Sequence, residues 1–491
     1  MKAPLFLIIL LTLSGGALAS DLCREDYLKL YGAFSGVSTG ESPDRLWAPD
    51  YIHYARDGEP RPADEMGSEH IAWELQHQPW QSIHYPLTTI VAAGIPVSKA
   101  LKRLHIPPSF HRFYDKRSGS FNYKNSNPIQ LAPENGDLPI EQLRVHFHPR
   151  DEGQFQKLAS DLSQVMSHDP ELELLVLYRR GSKKKLDEIL SQTLSPEQRK
   201  RVRSQLVKKE DHFQIYAQDD SKPTINGGLA HPNFEYGDFN RHPRAYQAAL
   251  NAVKKAGQPI QHSQLYFHGG DMVVGEKHLF LGKNLVSQTQ EFLNIDEASA
   301  IRAFEAEFGK PVFLVGPLMA KDLRFQMDFD IDFTLAVVRN KQDRKETVLL
   351  SSASRTLELL GAKFEKRKTD KGMSETDKKE FALYQKLTER DFDARREHNK
   401  KISAQLEESG YRVLEVPYFS LAEREQYSYA NMVVGTDYVM LPQFEYPTLQ
   451  QDAETTVGSL GYTVIPMNVA SELVDNRAGP HCITCAIRSS R

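Results

Sequence analysis

Cysteine is close to absent from this chain: Cys23, Cys482 and Cys485 are the only three in 491 residues. Three thiols cannot build a disulfide scaffold, and at least one stays free unless chains are cross-linked. An excess of either charge is missing as well. Lys and Arg total 61 against 65 for Asp and Glu, a formal net charge of −4. Such a balance gives no footprint for nucleic acid or for an anionic membrane surface. Beyond the first residues no apolar run approaches the roughly 20 residues that a bilayer helix needs. These absences exclude a disulfide-stapled scaffold, a polycation binder and a membrane-spanning body.

The opening MKAPLFLIILLTLSGGALAS holds one basic residue, Lys2, then an apolar stretch from Pro4 to Leu13 and the small-x-small pattern Ala17-Leu18-Ala19. A short apolar stretch with those flanks predicts a cleaved secretory signal over residues 1–19, with an uncleaved anchor as the competing reading. Ser20-Asp21-Leu22 before Cys23 is a poor context for lipid attachment. The expectation is an exported protein, periplasmic or secreted, with no membrane contact once the signal is cut.

Residues 20–135 are rich in Tyr, Trp, His and Pro and have few periodic segments. They predict an N-terminal extension wrapped over the main body, with a helical stretch near 87–104. From 136 to 491 short β-branched runs alternate with amphipathic helices. Strands are expected at 143–149, 172–179, 212–218 and 263–274, and again at VFLVG, FTLAVV, RVLEVP, MVVGTDYVMLP and YTVIPM. Helices are expected at 155–166, 182–209 and 243–257. The alternation predicts an α/β fold, and its loose period of roughly 60–80 residues suggests a repeated ββαβ-like unit. Segment 365–408 is polar nearly throughout, and Ser374 followed by Asp377 is placed to cap a helix of about 30 residues. An exposed, charged helical insertion is expected there.

Four stretches put acids, a glycine pair, a histidine and a thiol where strands end: YAQDD (216–220), FHGGDMVV (267–274), MDFDIDF (327–333) and PHCITC (480–485). Singly, each has a plain explanation, a turn for Asp219-Asp220 or a bulge for Gly269-Gly270. Asp328, Asp330 and Asp332 recur at period two, which on a strand places three carboxylates on one face. Such charges repel, so the face wants a cation, either a metal or a charged substrate. No histidine pair at ligand spacing supports the metal. The chain ends GPHCITCAIRSSR (479–491), and a frayed tail would leave its thiols open to oxidation. This end is therefore expected to be tied into a core or a site.

Taken in order, the four stretches resemble the guanidino-group-modifying superfamily, the penteins. It includes arginine, agmatine and peptidyl-arginine deiminases and the glycine amidinotransferases. HCIT at 481–484 resembles the deiminase motif, and HCITCAIR at 481–488 resembles the amidinotransferase HC-x-TC-x-[IV]-R. YSYANMVVGTDYVMLPQF (427–444) resembles the family segment that precedes it. YAQDDSKP (216–223) resembles the deiminase W-x-RD-x-GP, with Tyr216 for Trp and Gln218 for Arg. The resemblance covers about residues 140–491. It implies an α/β propeller of five ββαβ-like units with pseudo-fivefold symmetry, its site in the central channel. The terminal HCITC would be the last strand, returning to that channel.

The resemblance also implies chemistry. A guanidinium is planar and resonance-stabilised, so two carboxylates hold its N–H edges. A thiolate adds to the central carbon and a proton donor releases ammonia or an amine. Water or a second amine then resolves the amidino-cysteine, with the same group acting as base. By resemblance Cys482 is the nucleophile, Asp219 and Asp330 are the guanidinium clamps, and Gly269, Gly270 and Asp271 belong to the substrate-binding turn. Cys485 is expected to be structural, or else to bond Cys482 and switch it off. No cofactor or metal is implied.

One departure bears on the mechanism. Where the family has His-x-Asp-x-x-Phe, this chain reads Asp328-Phe329-Asp330-Ile331-Asp332-Phe333. Where it has the acid of EGGD, this chain reads His268-Gly269-Gly270-Asp271. A register two residues later, with Asp330 at the histidine position, loses the match of Phe333. A His–carboxylate pair is thus expected with its members exchanged, His268 in the acid's place and Asp328 in the histidine's, within hydrogen-bond reach. His481, beside the thiol, is a second candidate proton donor. The function expected is an exported deiminase-type hydrolase acting on the guanidinium of free or peptidyl arginine or a related compound. Transfer of the amidino group to an amine, or a disarmed pentein that only binds, are the alternatives. The expected partner is a guanidinium-bearing small molecule or peptide, and oligomeric state is left open.

Overall fold

The computed structural model describes residues 52–54, 60–62, 85–208, 215–233, 243–316, 330–388, 393–422, 425–474 and 478–489. The predicted signal, Cys23 and Asp328 lie outside these residues. A short ribbon pairs β1 (Ile52–Tyr54) with β2 (Pro60–Pro62).

Beyond the ribbon, alternating apolar residues build strands that bury both faces. In the first sheet, β3 (Ile140–Phe147) runs parallel to β4 (Glu173–Arg179), and β4 parallel to β5 (Val202–Val207). Leu174 and Val176 point to one side, where helix Glu152–His168 buries Phe155, Leu158, Leu162 and Val165. Leu175 and Leu177 point to the other, against Ala249, Ala252 and Val253 of helix Pro243–Lys255. Period-two alternation with apolar residues on both sides is what a sheet covered by helices on each face requires.

The other sheets repeat one pattern: an antiparallel pair, then a helix, then a parallel strand. The second joins β6 (Lys222–Pro223), β7 (Leu229–His231) and β8 (Ile260–His262). The third joins β9 (Met272–Val274), β10 (Leu279–Gly282) and β11 (Val312–Val315). The fourth joins β12 (Leu335–Arg339), β13 (Glu346–Ser352) and β14 (Arg412–Ala422), with β15 (Glu425–Ser428) added antiparallel. The fifth joins β16 (Val433–Val434), β17 (Tyr438–Pro442) and β18 (Thr463–Met467). The last strand, β19 (Thr484–Arg488), returns to pair antiparallel with β3, Cys485 opposite Arg144, and so supplies the first sheet's missing antiparallel partner. The fold is α/β, and the C-terminus is held in its first sheet.

Several local expectations are corrected. Segment 182–209 is not all helix: helices Lys183–Thr193 and Pro196–Lys200 are followed by β5, whose Val202 and Leu206 complete the parallel edge. Residues 215–221 and 263–268 are turns and extended chain rather than strand. Asp332 lies not on a strand but in a single 3-10 turn, Ile331–Phe333. Segment 365–408 is largely exposed and helical, but as two helices, Glu375–Thr388 and Asp393–Glu408, rather than one of about 30 residues, and each is anchored by buried side chains. Phe381, Leu383, Leu387, Ile402 and Leu406 are buried. Five apolar residues at helical spacing suffice to seat these helices, although the surrounding charge hides them from a composition average. Residues 85–131 pack Tyr85, Leu87, Ile90, Phe110 and Leu131 into one core with Leu285, Ala303 and Phe304 of the third sheet's helices.

Candidate active site

Cys482 sits on a four-residue helical turn, Pro480–Ile483, with Pro480 at its first position and β19 immediately after. Proline fits there because its missing N–H would have no helical acceptor. Asn431 holds the turn. Its Oδ1 accepts from the His481 amide (3.1 Å), and its Nδ2 donates to Cys482 Sγ (3.1 Å) and to the Asp332 carbonyl (3.4 Å). The Cys482 carbonyl in turn accepts from the Gln218 amide (3.1 Å), which brings the 215–221 turn, and Asp219 with it, to the thiol.

Three carboxylates converge on this sulfur. Asp332 Oδ2 is 3.4 Å from Sγ, with the thiol as donor. Its other oxygen, Oδ1, is buried and has no hydrogen-bond partner among the described residues. His268 lies between the remaining two, Nε2 2.9 Å from Asp219 Oδ2 and Nδ1 3.3 Å from Asp330 Oδ1. The glycine pair makes this approach possible. A Cβ on Gly269 would stand 1.9 Å from the Gln218 carbonyl oxygen, and one on Gly270 would stand 2.9 Å from Asp330 Cγ. Asp271, buried, closes the turn through its amide to the His268 carbonyl (3.1 Å).

Burial pushes the Cys482 thiol well above its ordinary range, and Asp332 and Asp330 push it further. Asp332 is raised by burial, against which the hydrogen bond from His481 acts in the opposite direction. For His481, burial opposes charge, but Asp332 and Glu134 outweigh it and raise the imidazole. Burial and the charge of Asp219 hold the Tyr216 hydroxyl protonated, so it remains a donor. The site as a whole sets a thiol held protonated against three carboxyl side chains.

The structure brings together Cys482, His268, Asp219, Asp330, Gly269, Gly270 and Asp271. The expected partner of His268, Asp328, lies outside the described residues, and the carboxylates His268 meets are Asp219 and Asp330. Sequence reasoning placed Asp332 only in a cation-seeking acidic set and gave no role to Asn431 or Glu134. Asp332 carried a signal, as the third member of the period-two set, but Asn431 and Glu134 carried none. Cys485 packs with Leu175 and Leu177 in a different core cluster from Cys482, and both thiols are free. Donor atoms of His268, Asp271 and Asp330 lie within 4.8 Å of one another. Nothing further points to an ion there, and none is assigned.

Neither a protein-family model nor a curated protein sequence matches this chain. Solved structures do. An X-ray structure provisionally named an agmatine deiminase has 11% identity and a TM-score of 0.50, over 75% of this chain and 99% of that one. The C. jejuni agmatine deiminase has 13% identity and a TM-score of 0.48, over 75% and 99%. The agmatine deiminase of Enterococcus faecalis has 11% identity and a TM-score of 0.46, over 74% and 98%. These are structures of the superfamily that the four motifs resemble. At such identities the likeness at TM-score 0.50 establishes the deiminase-like α/β fold, and the chemistry rests on the residues.

Proposed function

We propose that this protein is a thiol-dependent hydrolase of guanidinium groups, of the deiminase type, working through an amidino-cysteine. The observation that carries the reading is the Cys482 thiol 3.4 Å from Asp332, in a largely buried cluster with Asp219, Asp330 and His268. Three carboxylates around one thiol repel an anion and suit a planar cation with N–H groups on every edge. Burial chiefly keeps the thiol protonated and the carboxylate charge adds to it; binding that cation offsets the second contribution, so the substrate itself eases formation of the thiolate. The sulfur then bonds to the guanidinium carbon, and the C=N electron pair moves onto nitrogen. That nitrogen takes a proton, and its bond to carbon breaks to release ammonia. Water adds next, the C–S bond breaks, and the thiolate returns. The net change is guanidinium plus water to ureido group plus ammonium. His268, held by two carboxylates, is the proton carrier in this scheme.

The fivefold recurrence of the ββαβ pattern and the pairing of β19 with β3 favour closure into a pseudo-fivefold propeller with the site in its channel. The opening 19 residues favour export, to the periplasm or outside the cell. A second reading, a guanidinium receptor without turnover, is favoured by the raised thiol and by the carboxylates standing where the family has histidine. Reduced protein lacking residues 1–19, given agmatine, arginine and an arginine-containing peptide, tests both. Ammonia with a ureido product is expected from at least one, with Cys482→Ala slower by about a thousandfold or more. Binding without product would favour the receptor. Amidino transfer would show instead as a guanidinylated amine acceptor.

A further inference from the structure

Beneath the thiol lies a row of buried polar side chains that the scheme above leaves unused. Lys222, fully buried, has Nζ 2.7 Å from Glu134 Oε1. Glu134 Oε2 is 3.5 Å from His481 Nε2, and His481 Nδ1 is 2.9 Å from Asp332 Oδ2. That same oxygen faces Cys482 Sγ. Both ring nitrogens of His481 therefore face carboxylates. A neutral imidazole has one N–H and would turn a lone pair toward the other acid, whereas an imidazolium donates to both.

The geometry points to His481 as a positioning residue: as an imidazolium braced between Glu134 and Asp332, it keeps Asp332 ionised and leaves Oδ1 open for a substrate N–H. The inference rests on the guanidinium reading of the site. Asp332 is 2% exposed and close to Asp330, and a carboxyl so placed takes up a proton unless a cation offsets the burial. Once protonated, it has lost its attraction for a guanidinium. Glu134 and Asp332 touch the ring directly, with Lys222 and Cys482 one group further away. Asp330 stands beyond Asp332, and Arg488 lines the same cavity as His481. The carboxylates favour the charged ring and the two basic side chains oppose it. Lys222 nonetheless supports the arrangement indirectly, because it holds Glu134 ionised.

The test joins histidine-ring NMR of the reduced protein, with His481→Gln used to assign the signal, to pH profiles of kcat/KM for agmatine and arginine. The ring of His481 is expected to stay charged to pH 8. In His481→Gln the acid limb of kcat/KM should move up by about one unit or more. Activity then falls at least tenfold at pH 6.5, through KM more than kcat, and recovers toward pH 9. Glu134→Gln should shift the limb in the same direction by less. A neutral ring at pH 7, or an equal loss at every pH in soluble variants, overturns the inference. If neither guanidinium is bound or turned over while the ring stays charged, the function reading fails and the charge assigned to His481 is upheld.

Discussion

Gly269 and Gly270 leave their neighbours no latitude. The Gln218 carbonyl and the Asp330 side chain occupy the space a Cβ would need, and the first is backbone that cannot turn aside. Gly269→Ala should therefore lower stability by about 2 kcal/mol and abolish turnover, because moving Gln218 moves Asp219. Urea denaturation beside an ammonia assay checks both effects. Glu134 carries a pH signature. Burial opposes its charge, but Lys222 and His481 hold its carboxyl down at about 2, below the ordinary 4.5. A depressed folded value means its stabilisation is complete above the unfolded value and is lost as pH falls from about 4.5 toward 2. Glu134→Gln should flatten that part of an acid-unfolding curve; an unchanged curve would contradict the assignment. At this scale the sequence was partly legible. A thiol at a strand end and a glycine pair beside acids are local patterns. Asp332, rather than Asp330, as the carboxylate on the thiol depends on a 3-10 turn that the period-two reading concealed. Asn431 and Glu134 meet the site only through long-range packing.

The helices of segment 365–408 show where composition misleads. Glu380, wholly buried, accepts from Lys363 Nζ (2.8 Å), from the Thr448 amide (2.7 Å) and from the Thr448 hydroxyl (2.7 Å). One carboxylate thus ties helix Glu375–Thr388 to helix Ala353–Phe364 and to the first turn of helix Pro447–Ser459. Removing it leaves a buried amide without its acceptor, at a cost of about 2–3 kcal/mol. Glu380→Ala should shift the urea midpoint accordingly while kcat at saturation stays within about twofold, since the groups it holds, Lys363 and Thr448, are not part of the proposed site. Charged residues dominate the segment because one face of each helix meets water. Seating a helix needs only a narrow apolar stripe, and that stripe is invisible in an average. Strands β3 and β4 were legible for the opposite reason, since apolar residues recur through them, Leu143, Val145 and Phe147 in β3 and Leu174 to Leu177 in β4, whereas β13 (ETVLLSS), polar at both ends, went unread.

Across the whole molecule, the alternation of strands and helices foretold an α/β fold, because each parallel pair needs a covering crossover. The N-terminal segment was read in part: the helical stretch expected near 87–104 is helices Leu87–Ala92 and Val97–Arg103, but their packing against Leu285, Ala303 and Phe304, some 200 positions away, leaves no local mark. The return of β19 to β3 binds the end of the chain to its first sheet and sets Cys482, just ahead of β19, against the 215–221 turn. Ending the chain at Ile483 would remove Cys485, Ile487 and Arg488 from the core, and such a protein should fail to give a cooperative unfolding transition. The central claim is that Cys482 becomes covalently amidinated. The most direct measurement is rapid acid quench of the reduced protein with agmatine or arginine, followed by peptide mass spectrometry. An amidino adduct on Cys482, formed no later than ammonia is released and absent from Cys482→Ala, is the predicted result. Ammonia release that persists in Cys482→Ala, or turnover with no adduct on that thiol at any time, would contradict it.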